Sequence, residues 1–227
     1  IGDRRLRRRE VAPLRGVCSA TRVELFDRTV VIGERLNPTG KKRLKQALYE
    51  RDLDYVVLEA QKQKEQGAGV LDVNVGLPDV DEPAMLRDVV TELQGAVDLP
   101  LQLDSASAAA LEAAARRYAG KPLLNSVSGK ESSLASVLPV AKKYGACVLG
   151  LCLDDEGIPP TAEARLAVAQ KIVGRAAALG IPKDDVFIDC LTLTASAQQD
   201  LALETIKAVR LVGERLGVKT TLGVSNV

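Results

Sequence analysis

The sequence of 227 residues predicts an α/β protein, a (β/α)8-type barrel that lacks its eighth βα unit. Short apolar runs alternate seven times with helical patterns, which is typical of parallel strands joined by crossover helices. The runs end in carboxylates or carboxamides, at the strand ends where parallel sheets bind ligands. These polar ends come from six strands, which favours a ring of strands over a doubly wound sheet, where a single switch point would gather them.

The eighth unit is predicted to be missing because the chain is short for a complete barrel. A (β/α)8 barrel typically needs about 250 residues, whereas residues 28–227 provide 200. We therefore predict a barrel domain at 28–227 that is incomplete at its carboxyl end, with an exposed strand edge beside Val30.

The first strand is predicted at residues 30–32, where three β-branched apolar residues are typical of a fully buried strand. Glu34 and Asn37 follow, where the strand should emerge from its sheet. Residues 38–40 (Pro-Thr-Gly) break the backbone, and a helical pattern begins by Leu44.

The later elements follow from the same change of period, with glycines at the ends of helices. Gly67, Gly145, Gly180 and Gly217 each stop a helical pattern, and Pro83 stands in the first turn of another. The predicted helices are residues 54–66, 81–96, 107–118, 132–144, 161–179 and 198–216, and the predicted strands are 70–75, 99–103, 123–124, 147–153, 186–188 and 220–224.

Composition predicts a globular cytoplasmic protein without a membrane partner. The chain is 46% hydrophobic and 27% charged, enough to bury a sizeable core. It contains no apolar run of the roughly 20 residues that a membrane span requires, and its amino terminus lacks the apolar core of a signal peptide.

Cysteine and histidine usage restricts the chemistry. The four cysteines form no Cys-x-x-Cys pair and the chain has no histidine, so we predict buried reduced thiols rather than disulfides or zinc. Acid-base work must then fall on carboxylates, amides or water.

Residues 1–27 are predicted to be an interdomain linker left by excision from a longer chain, because they show no clear period. Residues 1–28 hold eight arginines and four acids. Five of the arginines lie between Arg4 and Arg9 without interleaved aromatic residues, which favours a solvated linker over a nucleic-acid-binding segment.

The polar strand ends mix carboxylates with carboxamides, and this mixture indicates the kind of ligand. Mg²⁺ or Ca²⁺ prefers several carboxylates plus water, so we predict no metal. Carboxylates accept hydrogen bonds and amides both donate and accept, which suits a flat heterocycle with N–H and C=O edges. The residues concerned are Glu34, Asn37, Asp72, Asn74, Asp104, Asn125, Asp189 and Asn226.

In these positions the chain resembles the pterin-binding family of TIM barrels. Within it, the likeness is to the folate domains of cobalamin-dependent methionine synthases and to methyltetrahydrofolate:corrinoid methyltransferases. It is carried by residues 32–40 (Ile-Gly-Glu-Arg-Leu-Asn-Pro-Thr-Gly), 71–74 (Leu-Asp-Val-Asn), 101–104 (Leu-Gln-Leu-Asp), 125–126 (Asn-Ser), 188–189 (Ile-Asp) and 223–226 (Gly-Val-Ser-Asn). Residues 16–22 resemble the connection that follows an upstream homocysteine domain.

The resemblance implies a function and a role for each site residue. The chain would bind N5-methyltetrahydrofolate and transfer its methyl group to cob(I)alamin held by another domain or a corrinoid protein. Asp104, Asn125 and Asp189 would hydrogen-bond the pterin edge, and Asn226 would act catalytically at N5. The same end of the barrel would be lined by Glu34, Asn37, Asp72, Asn74 and Ser225.

Two alternatives stay open. A dihydropteroate synthase would share the pterin site but should carry a lysine on the seventh strand, where this chain has Gly-Val-Ser-Asn at 223–226. A truncated barrel could bind folate, or only pack against partner domains, without turnover. Residues 189–191 also read Asp-Cys-Leu where the family often has Asp-Pro-Gly, so the shape of that loop is not predicted.

Overall fold

The computed structural model describes residues 14–192 and 199–224. Ser225, Asn226 and the arginines of residues 4–9 lie outside this part. The strands are β1 Val17–Cys18, β2 Val23–Glu24, β3 Ile32–Leu36, β4 Val70–Asn74, β5 Leu101–Asp104, β6 Leu123–Ser128, β7 Cys147–Leu151, β8 Val186–Asp189 and β9 Lys219–Thr221. The helices are α1 Lys42–Glu50, α2 Leu53–Glu65, α3 Glu82–Ala96, α4 Ala108–Ala115, α5 Glu131–Tyr144, α6 Ala162–Ala178 and α7 Gln199–Leu216.

Strands β3 to β9 form one parallel sheet whose spatial order is the order of the chain. Each strand pairs with the next, from Ile32 beside Val70 to Asp189 beside Thr221. The sheet curls so that residues of β3 and β9 line one cavity. Within the described residues the result is a curled, parallel half-barrel of seven strands, which matches a TIM-barrel-like fold missing a unit and confirms the predicted fold class.

Alternate residues along the strands serve two different cores. Leu71, Leu103 and Ile188 pack outward with the helices in the larger cluster. Leu123 and Phe187 belong to a smaller cluster inside the barrel at its amino-terminal end. The interior near the carboxyl ends of the strands is polar instead, which leaves that end for a binding site.

A short hairpin, β1 and β2, closes the amino-terminal end of the barrel. Its Val17 is fully buried in the inner core. The backbone N–H and carbonyl of Cys18 exchange hydrogen bonds with Lys121 at 3.0 and 2.9 Å. The sequence pattern showed no element here, because strands of two residues are too short to display a period. The boundary between linker and barrel at residue 28 stays a prediction.

The first strand of the barrel differs from its prediction. It begins at Ile32 instead of residue 30, and Val31 is 63% exposed. The prediction of a fully buried strand at 30–32 is therefore wrong. Within the described residues β3 pairs only with β4, so its other edge lacks the cover that an interior strand would have.

Helix ends agree closely with the sequence signals. Asp52, Asp81, Ser107 and Thr161 cap α2, α3, α4 and α6, and each side chain accepts a backbone N–H. Gly145 closes α5 in the left-handed region at φ 63°. These four caps are thus supplied by residues other than the strand-end carboxylates.

The four cysteines are free thiols. As predicted, Cys147, Cys152 and Cys190 are buried, while Cys18 is half-buried. Within residues 14–192 and 199–224, no helix has the length and apolar character needed to cross a bilayer.

Candidate functional site

A cavity of about 330 Å³ opens at the carboxyl ends of the barrel strands; we call it the mouth. It brings together five of the predicted site residues, from β3, β4, β5, β6 and β8. Backbone segments after β9 complete its wall. Its lining is Ile32, Glu34, Asp72, Gln102, Asp104, Asn125, Leu149, Leu151, Asp189, Thr221, Leu222, Gly223 and Val224.

A larger cavity, of about 500 Å³, lies beside the loop between β7 and α6. Its walls include Ile158, Pro160 and Val168, together with Asp154 and Lys171. Lys171 already donates to the carbonyl of Gly129 at 2.7 Å. Carboxylates and amides from several strands do not converge there, so the mouth is the better candidate for a specific ligand site.

Asp72 is the centre of a buried hydrogen-bond network in the mouth. Its side chain is 3% exposed. One carboxyl oxygen, Oδ1, accepts from Nε2 of Gln102 at 2.5 Å and from Nδ2 of Asn125 at 3.4 Å. Next to it, Oδ2 of Asp104 accepts from Nδ2 of Asn74 at 3.0 Å. Three strands thus fix two adjacent carboxyl groups.

The environment of these carboxyl groups changes their protonation. Burial, and then the charges of Asp104 and Glu34, raise the pKa of Asp72 to about 7, against the opposing hydrogen bonds of the two amides. Burial also raises the pKa of Asp104, although hydrogen bonds from Asn74 and Asp72 favour its ionised form. Near neutral pH Asp72 can therefore hold a proton and donate it in a hydrogen bond to Asp104.

Asp189 brings a further carboxylate to the mouth from the end of β8. Burial raises its pKa, while a backbone hydrogen bond from Leu191 lowers it. That N–H donates to Oδ1 of Asp189 at 2.7 Å, and Leu191 has a left-handed backbone with φ 62°. The loop whose shape the sequence did not predict thus turns back onto its own carboxylate.

Asn37 and Asn74 lie beside the mouth and are absent from its lining. Oδ1 of Asn37 accepts from the backbone N–H of Thr39 at 3.0 Å, so this side chain shapes the turn after β3. Oδ1 of Asn74 accepts from Gly76 at 2.9 Å while its amide supports Asp104. Their predicted contact with ligand stays a prediction, as does that of Ser225 and Asn226, which lie outside the described residues.

Gln102 is a residue of the mouth that the sequence analysis did not single out. It is 6% exposed, and within the described part of the chain its Oε1 is buried without a hydrogen-bond partner. A sequence signal was present, because Gln102 precedes Asp104 by two residues and therefore faces the same side of β5. Its unpaired oxygen is a hydrogen-bond acceptor available to a ligand N–H.

Among residues 14–192 and 199–224, no group of three or more cysteines or acids has an arrangement that could hold a metal ion.

The fold and the mouth together define a parallel α/β barrel with a polar binding cavity at the carboxyl ends of its strands. The family follows from comparison with known proteins. Residues 33–227 match the family model described as pterin binding enzyme. This chain therefore belongs to the pterin-binding enzyme family.

The chain is also similar to two curated methionine synthases. The chain is 32% identical over 209 residues to the methionine synthase of Mycobacterium tuberculosis and 31% identical over 209 residues to that of Mycobacterium leprae. Each alignment covers 87% of this chain but only 18% and 17% of the relatives. The chain thus spans less than a fifth of the length of these proteins.

Solved structures support the fold. The dihydropteroate synthase of Stenotrophomonas maltophilia superimposes with a TM-score of 0.68 at 19% identity, covering 92% of this chain and 77% of that one. The dihydropteroate synthase of Vibrio fischeri ES114 gives a TM-score of 0.65 at 17% identity, with coverage of 92% and 78%. At these identities the likeness shows a shared fold and nothing about the reaction.

Proposed function

We propose that this chain binds N5-methyltetrahydrofolate in the mouth and transfers its methyl group to cob(I)alamin carried by another domain or protein. The observation that carries the proposal is the convergence of Asp104, Asn125 and Asp189 on one cavity. Membership of the pterin-binding family and similarity to methionine synthases support it. In this proposal the parent protein also has an upstream homocysteine domain.

The mouth suits a pterin because its groups complement the ring edge. The carboxylates of Asp104 and Asp189 would accept from ring N–H groups, and the amide of Asn125 can donate and accept. The mouth opens to solvent beside Glu34, which is exposed. That opening leaves a path along which a partner carrying the methyl acceptor could approach.

Methyl transfer also needs a group that assists the nitrogen from which the methyl departs. A tertiary amine is a poor leaving group, so N5 must gain a proton or a strong hydrogen bond in the transition state. We assign that hydrogen bond to the amide of Asn226. The acceptor, cob(I)alamin, would supply the nucleophile, and no covalent intermediate with the protein is needed.

Asn226→Ala should lower the rate of methyl transfer more than the affinity for N5-methyltetrahydrofolate. The reason is that the amide would stabilise a charge change that is largest in the transition state. Single-turnover transfer to free cob(I)alamin and a calorimetric titration give the two quantities. Equal losses in both would make Asn226 a ground-state contact and contradict its catalytic role.

Dihydropteroate synthase activity is the second candidate, since the same carboxylates would bind its pterin. The end of β9 opposes it, because residues 222–224 (Leu-Gly-Val) offer no lysine to the mouth. The lysine of β9 itself, Lys219, lies at the other end of the barrel, with Nζ 5.2 Å from the ring centroid of Phe187.

Three measurements separate these candidates. Calorimetric titration with N5-methyltetrahydrofolate tests binding, a transfer assay with added cob(I)alamin tests methyltransferase activity, and product analysis tests for 7,8-dihydropteroate. Binding with transfer supports the proposal. Dihydropteroate formation would replace it with the second candidate, and binding without either reaction would indicate a non-catalytic folate-binding domain.

Gln102→Leu should weaken binding of N5-methyltetrahydrofolate by about fivefold, the effect of one neutral hydrogen bond of about 1 kcal/mol. The free energy of unfolding of the unliganded protein should also fall, by about 1–2 kcal/mol, because the substitution removes the hydrogen bond that Nε2 of Gln102 donates to Asp72 together with the unpaired oxygen. Parallel titrations and chemical unfolding would measure both effects.

Gln63→Leu is the matched control. Gln63 is equally buried, but its Oε1 accepts from the backbone N–H of Arg35 at 2.8 Å and its amide donates to the carbonyl of Glu59. Its loss should reduce the free energy of unfolding by about 1–2 kcal/mol. A Gln102 variant that is destabilised like the control, with unchanged affinity, would mean that Gln102 is only structural.

A further inference from the structure

Arg165 is a fully buried arginine on the first turn of α6, with 0% of its surface exposed. Its Nε donates to the carbonyl of Pro159 at 2.8 Å. Its Nη1 donates to the carbonyls of Cys190 and Leu191 at 3.1 and 3.2 Å, and to Oγ1 of Thr205 at 2.7 Å. One side chain therefore joins the loop before α6, the loop after β8, and α7.

Burying an arginine here costs more free energy than burying an apolar side chain would. The partners named are neutral oxygens, and Nη2 is buried without a hydrogen-bond partner in the described residues. A buried cation pays a large desolvation penalty, which an apolar side chain of similar volume would avoid. The planar fork of arginine does, however, allow it to hold several carbonyls at once.

The carbonyls that Arg165 holds belong to an unusual backbone segment. Leu191 has φ 62°, a left-handed conformation that is unfavourable for a residue with a branched side chain. Its carbonyl also accepts from Oγ1 of Thr205 at 3.1 Å. In this conformation its N–H donates to Oδ1 of Asp189 at 2.7 Å, which fixes the carboxylate in the wall of the mouth.

We propose that Arg165 is a positioning residue that holds Leu191 in its left-handed conformation and thereby orients Asp189 for the ligand. This inference rests on the proposed function, because it takes Asp189 as a pterin contact. We call the hydrogen bonds from Arg165 to the carbonyls of residues 190 and 191 the clamp. A glycine at 191 would adopt the same backbone conformation without it. The clamp is needed because a leucine occupies that position.

If the role of Arg165 is to hold Leu191, a glycine at residue 191 should make Arg165 dispensable for binding. Arg165→Met should weaken binding of N5-methyltetrahydrofolate about tenfold, while Leu191→Gly alone should stay within about twofold of the unmodified chain. The double variant, Arg165→Met with Leu191→Gly, should recover affinity to within about threefold. A purely structural arginine would not be rescued by a glycine in the loop it contacts.

Thr205→Val provides a second, milder variant, because it removes a hydroxyl that links Arg165 to the Leu191 carbonyl and leaves the arginine in place. Its smaller loss of affinity should also be rescued by Leu191→Gly. The proposal is overturned if Arg165→Met or Thr205→Val binds as the unmodified chain does, or if Leu191→Gly rescues neither.

A ligand-independent measurement separates this inference from the proposed function. Cys190 is 0% exposed and adjoins the clamp, so alkylation by iodoacetamide, mapped by mass spectrometry, reports the loop. Cys190 should be labelled faster in Arg165→Met and Thr205→Val, and protected again when Leu191→Gly is added. If the unmodified chain failed to bind N5-methyltetrahydrofolate while labelling followed this pattern, the proposed function would fail and the clamp would stand. Unchanged labelling in both variants would overturn the clamp.

Discussion

Replacing Asp189 with asparagine should weaken the binding of N5-methyltetrahydrofolate about tenfold or more. The carboxylate of Asp189 would accept a charge-assisted hydrogen bond from a ring N–H, and such bonds contribute about 1.5–3 kcal/mol. Asparagine keeps an oxygen that can accept the N–H of Leu191, so the loop after β8 should keep its shape. Calorimetric titration of the two proteins measures the difference.

The matched control is Asp98→Asn, since Asp98 precedes β5 and pairs with Lys64 at 2.8 Å on the amino-terminal side of the strand. The control should bind within about twofold of the unmodified chain, because its carboxylate lies away from the mouth. An Asp189→Asn protein that is folded and binds with unchanged affinity would remove Asp189 from the site.

Asp72→Asn should increase the free energy of unfolding at neutral and alkaline pH. In the folded protein the pKa of Asp72 is raised from 3.8 to about 7. Between these values the unfolded chain loses a proton that the folded protein keeps, so the contribution of Asp72 to stability falls as pH rises from about 4 to about 7. Above that range the folded protein carries the full cost of a buried carboxylate.

Asparagine imitates the protonated side chain without that cost. Its oxygen can accept from Gln102 and Asn125, as Oδ1 of Asp72 does. Its nitrogen can donate to Asp104, in place of the protonated Asp72 carboxyl. A shift of about three pKa units corresponds to about 4 kcal/mol, so we expect a gain of about 2–4 kcal/mol in the free energy of unfolding at pH 8.

Urea unfolding of both proteins between pH 4 and pH 8 measures the effect of Asp72→Asn. The difference should be small at pH 4 and should grow up to about pH 7. Asp155→Asn, an exposed residue in the loop after β7, is the control and should show no such trend. A constant difference at every pH, or a loss of stability at pH 8, would contradict the assigned protonation of Asp72.

The fold could be predicted from sequence because its signals are local. Each buried strand is an apolar run, and helix ends are marked by caps such as Ser107 and Thr161 or by glycines such as Gly145. The β1–β2 hairpin was not predicted because its strands of two residues are too short to display a period, and because Cys18 bonds to Lys121, which is distant in the chain. The exposure of Val31 was not predicted either, because it depends on whether a neighbouring strand covers the edge of β3 that faces away from β4.

The site was predicted only in part, for related reasons. Asp72, Asp104, Asn125 and Asp189 could be identified as polar ends of apolar strands, and the structure gathers them in one cavity. Gln102 lies two residues before Asp104 on β5. Its proposed role in binding rests on an unpaired oxygen that only the folded structure reveals. The contacts of Arg165 with the loop after β8 likewise join segments that no sequence period connects.

A crystal structure of the chain with N5-methyltetrahydrofolate would show directly whether the mouth is a pterin site. We expect the pterin ring in the mouth, with ring N–H groups within about 3.2 Å of the carboxylate oxygens of Asp104 and Asp189. A ligand bound in the cavity beside Ile158 and Lys171, or anywhere else with Asp104 and Asp189 uncontacted, would contradict a pterin site at the carboxyl ends of the strands.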